Sequence, residues 1–132
     1  MQLAAEAAAT AVDACRKQGY AVSAAVADRS GNLRALLRGD GAGPHTVDGS
    51  ARKAYTAATF RMPTTYLAEY VNNTPAAAGL HHADRVLVFG GGLPIEAGDE
   101  IVGAIAVGGA PGGKLDDACA KAGLDRIKDR LK

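Results

Sequence analysis

With 132 residues, 48% of them hydrophobic, and no long polar tract, the chain has the length and composition of a single globular domain spanning 1–132. Fifteen basic against fourteen acidic residues leave a net charge of +1, and neither sign forms a block, so no nucleic-acid partner is expected. No run approaches the roughly 20 apolar residues of a membrane span, and the opening MQLAAEAAA lacks the basic start of a signal peptide. The chain therefore reads as soluble and without a membrane partner, cytoplasmic, or secreted or periplasmic where a leader has been removed.

From Leu3 to Gln18 the apolar positions Leu3, Ala7, Ala8, Ala11, Val12 and Cys15 recur at helical spacing, and Gly19 supplies a stop. The runs YAVSAAVA and LRALLR flank Asp28-Arg29-Ser30-Gly31-Asn32, turn chemistry that predicts a β-hairpin. A Gly-rich loop, Gly39 to Pro44, leads to a second helix from Thr46 to Phe60, and Pro63-Thr64 opens a shorter one through Tyr70. Between Asn72 and Asp84 the composition predicts a connection with little regular structure. RVLVF reads as a third strand, LPIEA and IVGAIAVGGA as two more around Gly98-Asp99, and Leu115 to Lys132 as a closing helix interrupted near Gly123. Such an order implies an α+β fold, a five-stranded antiparallel sheet with helices covering one face. With no tryptophan and abundant alanine and glycine, the core must be built from small side chains, and self-association would add burial.

Several residues invite chemical readings. The stretch from Gly108 to Lys114 matches G-x-x-x-x-G-K, a pattern that aims backbone N–H groups at phosphate, but Leu115 stands where a hydroxyl should ligate magnesium. Only one helix follows it, whereas a phosphate loop needs further parallel strands, so its glycines are expected to turn a strand into a helix. Cys15 and Cys119 lack a C-x-x-C companion, which argues against zinc or dithiol chemistry and favours buried free thiols over a disulfide. His81 and His82, followed by Asp84, have the pattern of a solvated loop. His45 lies between a Gly-rich loop and a helix start, where an imidazole could enter a cleft as a ligand. The second helix offers Arg52, Lys53 and Arg61 as partners for carboxylates, Tyr55 and Phe60 as surfaces for a flat ring, and Thr56 as an oxygen donor, a profile that suits a porphyrin as well as an ordinary amphipathic helix. No recognisable hydrolase nucleophile is present.

The blocks DRSGNLRALLRGDGA, KAYTAATF, GGLPI, VGAIAVGG and CAKAGL, in this order between about Gly19 and Leu124, resemble the GlcG/HbpS-like heme-binding family, related to the C-terminal domain of the PduO corrinoid adenosyltransferases. The resemblance implies a profilin-like fold, symmetric homo-oligomers, heme binding and, in some members, slow heme degradation or redox sensing. It carries Lys53 and Thr56 as matched site residues; His45 is added from its position in the chain. The expected function is thus a heme-binding oligomer, with an interface pocket in which Arg52, Lys53 or Arg61 meets the propionates and Thr56 or His45 approaches the iron. Two other readings stand beside it: an enzyme or accessory subunit acting on a small carbon metabolite or in a corrinoid pathway, and a ligand-free assembly module.

Overall fold

Central strands buried on both sides must alternate between two sets of neighbours, and here the alternation sets the layer order. The computed structural model, which describes residues 2–131, has four strands, β1 (Ser23–Asp28), β2 (Leu33–Arg38), β3 (Gly92–Ala97) and β4 (Glu100–Gly108), in one antiparallel sheet ordered β2-β1-β4-β3. In the β1–β4 register Ala24 faces Val107 and Val26 faces Ile105, while Ala25 faces Ala106 and Ala27 faces Ala104.

The first set points toward α1 (Gln2–Lys17) and α4 (Gly113–Ile127), where Ile105, Val26 and Val107 pack with Ala7, Ala11, Cys15, Cys119 and Ile127. Gly123 lets these helices approach, since a Cβ there would run into the Ala7 carbonyl oxygen of α1 and come within 2.8 Å of Ile105 Cδ1 on the sheet. Cys15 and Cys119 are joined in a disulfide, with Cα atoms 5.6 Å apart and a sequence separation of 104. The expectation of free thiols is corrected: sequence distance says nothing about two helices that lie side by side.

The second set is all alanine and packs against α2 (His45–Phe60): Ala25, Ala27 and Ala106 meet Ala54, and Ala104 meets Ala57 and Ala58. Helices therefore cover both faces of the sheet. The expectation of one covered face fails because β1, SAAVAD, is an unbroken run of small or apolar residues with no polar side to offer solvent.

The remaining elements are α3 (Thr64–Asn72), a 3-10 segment at Pro75–His82 where an irregular connection was expected, and a short 3-10 turn at Lys128–Arg130. Among the described residues, α4 passes through Gly123 without interruption; Lys132, the expected end of the closing helix, lies outside them. The expected fifth strand, Arg85–Phe89, does not form. Its backbone groups are taken by α2 instead: Arg52 Nη2 donates to the Val86 carbonyl at 2.9 Å, and Leu87 N–H donates to Thr56 Oγ1 at 2.9 Å. No helix among the described residues is long and apolar enough to cross a membrane.

Candidate functional site

Helical spacing places His45, Asp48, Arg52 and Tyr55 along one stripe of α2. Against part of this stripe opens a cleft of about 590 Å³. Ala27, Gly31, Leu33 and Ala51 give it a wall of small and apolar side chains; Asp48 and Arg52 stand on the helix side, and His81, His82, Ala83, Asp84 and Arg85 form the opposite side.

Each wall is held locally. In the β1–β2 turn the Asp28 carboxylate accepts from the backbone N–H groups of Ser30 and Asn32, both at 3.0 Å, which fixes Gly31 at φ +82. Glycine is needed there twice over, because a Cβ would also stand 2.9 Å from Tyr55 Cδ2. Tyr55 thus lies against the turn, and the Arg85 guanidinium stacks over its ring at 4.1 Å. Arg85 has φ +64, a left-handed conformation that non-glycine residues rarely hold without support from their surroundings. The two bonds from α2 to Val86 and Leu87 supply that support one residue further on. Arg52 keeps a second, looser contact with Asp48 at 3.9 Å.

The other residues named from the sequence are placed differently. Lys53 is buried, with Nζ donating to Asp116 Oδ2 and to the Val107 carbonyl, each at 3.0 Å, beneath the Phe89 ring at 4.8 Å. Thr56 is fully buried; its hydroxyl donates to the Arg52 carbonyl at 2.7 Å and accepts the Leu87 bond. Arg61 is exposed and caps α2 in a left-handed conformation, with its N–H donating to Ala57. Nine residues beyond Arg52, it lies about 13 Å along the helix from the cleft, and Phe60 beside it is not a lining residue. His45 is exposed and not in the cleft wall; its ring folds over Gly43, where an added Cβ would come within 2.7 Å of ring Cε1. Of the seven, the structure brings Arg52 to the cleft and sets Tyr55 beneath it. Asp48, His81, His82, Asp84 and Arg85 also stand in the cleft wall, which the sequence does not lead one to expect; the adjacent His81-His82, with the pattern of a solvated loop, is the one signal that could have found them.

Lys53 belongs to a polar joint rather than to a surface. Asp116 also accepts Ala110 N–H at 3.0 Å, Asp117 accepts from Gly91 N–H at 2.9 Å and from the Thr65 hydroxyl, and Thr64 accepts Gly92 N–H at 2.9 Å. Burial pushes the Asp116 carboxyl above its ordinary range, and the Lys53 ammonium and the Ala110 N–H pull it part of the way back. The glycine loop therefore encloses a carboxylate, 1% exposed, where a phosphate loop would need to receive an anion.

Over residues 1–125 the chain matches the family described as "Haem degrading protein HbpS-like". The protein GlcG of Escherichia coli strain K12 is 36% identical over 106 residues, 80% of this chain and 78% of that protein. A 15.0 kDa protein of Citrobacter freundii from the dhaT-dhaS intergenic region is 35% identical over 86 residues, 64% of this chain; the match spans 61% of that relative's length. Among solved structures, a double mutant of HbpS from Streptomyces reticuli superimposes with a TM-score of 0.89 at 42% identity, covering 96% of this chain and 84% of that one. PduOC in its heme complex shares the fold, with a TM-score of 0.83 at 21% identity over 92% of this chain and 89% of its own. A family match over nearly the whole length, joined to 42% identity with a structure of the same fold, makes this chain a member of the HbpS-like family.

Proposed function

We propose that the chain binds heme in the cleft between α2, the β1–β2 hairpin and the His81–Arg85 segment. The observation that carries the reading is the pairing of an apolar wall of small residues with two guanidinium groups, Arg52 and Arg85, around a space of about 590 Å³. That volume lies within the roughly 300–1,000 Å³ of small-molecule sites. Ala27, Gly31 and Ala51 present little side chain, so a flat macrocycle can approach the backbone, and guanidinium groups match the geometry of its carboxylates. Membership in a family described as heme-degrading supports the same ligand.

Bound there, heme would supply an iron centre for electron transfer or for reaction with oxygen species, which is where slow heme degradation or redox sensing would enter. The chain's own part is to hold and shield: Arg52 and Arg85 orient the carboxylates, Tyr55 props Arg85, and the Pro75–His82 segment walls the ring from water. A second copy of the chain closing the open side of the cleft completes the reading as a homo-oligomer. The buried Cys15–Cys119 disulfide favours an oxidising compartment, periplasmic or extracellular, over the cytoplasm.

Titration of the purified protein with hemin tests the ligand. A Soret band distinct from free hemin is expected, with Arg52→Ala weakening binding by about 10-fold or more, the scale of a charge-assisted hydrogen bond. An unchanged hemin spectrum with the wild-type protein would overturn the reading.

A further inference from the structure

We infer that the His81-His82 pair supplies the protein's ligand to the iron, an inference that rests on the heme reading above. Among the described residues no three His, Cys, Asp or Glu side chains gather closely enough to hold a bare metal ion. A macrocycle brings most of the ligands of its iron with it, so the protein need add only one or two donors. Heme iron takes an imidazole readily, and among the described residues the imidazoles in the cleft wall are those of His81 and His82.

The donors suggested by sequence are less available. Thr56 has no exposed surface, and its hydroxyl already gives its proton to Arg52 and accepts from Leu87; drawing it to a metal would release the segment that forms the far wall. His45 stands one turn before Asp48, outside the cleft wall, with its ring over Gly43. His81 and His82, by contrast, end a 3-10 segment with no buried residue, tethered by α3 before it and by the Arg52 and Thr56 bonds at Val86 and Leu87 after it. A span fixed at both ends and unburied between can adjust its side chains toward a ligand with few contacts to break. The anchoring residue Arg52 is itself a proposed carboxylate partner, so ring orientation and ligand placement are set by the same helix turn.

The test is the electron paramagnetic resonance and visible spectrum of hemin-loaded wild type, His81→Ala, His82→Ala, the double variant and His45→Ala. Both histidines are exposed, so these variants should fold. The wild type is expected to show a nitrogen-ligated iron; the double variant should still take up hemin but lose that signature, and free imidazole should restore it. His45→Ala, outside the cleft wall, should leave the spectrum as it is. Hemin uptake by the double variant with an unaltered spectrum, or loss of the signature in His45→Ala instead, would overturn this assignment alone. Absence of uptake by the wild type would overturn the heme reading together with it.

Discussion

The two faces of the sheet are built on opposite rules. Toward α1 and α4 the strands present Val26, Ile105 and Val107, and a disulfide ties the two helices together. Toward α2 the central strands β1 and β4 present alanine, with Leu36 of β2 beside them, and a buried ion pair, Lys53 with Asp116, ties α2 to the first turn of α4. Large branched side chains bury more apolar area per residue, so the first face carries most of the hydrophobic stabilisation. Alanine brings α2 close to the sheet and limits where it can sit, and the cleft residues on its outer stripe take their positions from that closeness. One face is arranged for stability, and the other holds a helix in register.

The largest expected effect comes from breaking the ion pair on the α2 face. Lys53→Met leaves the Asp116 carboxylate buried without its cation, and loss of one partner of a buried pair costs about 3–5 kcal/mol. Replacing both, Lys53→Met with Asp116→Leu, should recover much of that loss, because the desolvation of two charges disappears with them. The single variant should also depend on pH in a defined sense. Burial already raises the Asp116 carboxyl above its ordinary value, and removing the ammonium takes away the main opposing pull. The folded state then keeps a proton that the unfolded chain has lost, so stability falls as pH rises from the ordinary carboxylate value through the raised one. Urea titrations across that window check the sign; a single variant whose stability rises with pH there would contradict the assignment.

On the opposite face the disulfide should rank next. Cys119→Ser, or reduction under mild denaturant, is expected to cost about 2–5 kcal/mol, with the sequence separation of 104 favouring the upper part of the range. Thermal unfolding with and without reductant measures it. Hemin binding by the reduced but still folded protein should be unchanged, because α1 and α4 do not line the cleft.

Much of this division is legible in the sequence, and its limits have physical causes. The hairpin around Gly31, the α2 stripe and the last two strands follow from period and turn chemistry, which are local. RVLVF is as apolar as a strand, yet it forms none because Arg52 and Thr56, more than 30 residues earlier, take the Val86 carbonyl and the Leu87 N–H. The unbroken small and apolar run at the start of β1 is the local sign that both faces are covered, but alanine suits an interface and a tight bend equally, so the sign is a weak one. Lys53 reads as a cation for a ligand's carboxylates until Asp116 is found opposite it, 63 residues away. His81-His82 looks like solvated loop, and only the path of the chain back to α2 turns it toward a cleft.

The smallest effects should separate the faces most sharply, because they can be matched in size. Ile105→Val removes one methylene from the α1/α4 face and should cost about 0.5–1.5 kcal/mol. Ala54→Leu adds volume where Ala25, Ala27 and Ala106 already touch, and overpacking of this kind costs about 1–3 kcal/mol. The two ranges meet, so stability alone will not distinguish the variants. Hemin affinity should. Ala54 lies two residues from Arg52 and adjoins Lys53 and Tyr55 in sequence, so lifting α2 from the sheet shifts the guanidinium and the ring that prop the cleft, whereas trimming Ile105 leaves α2 where it is. Weakened hemin binding in Ala54→Leu at a stability equal to that of Ile105→Val is the expected result. Equal binding by both variants would mean that closeness of α2 to the sheet is not what positions the cleft.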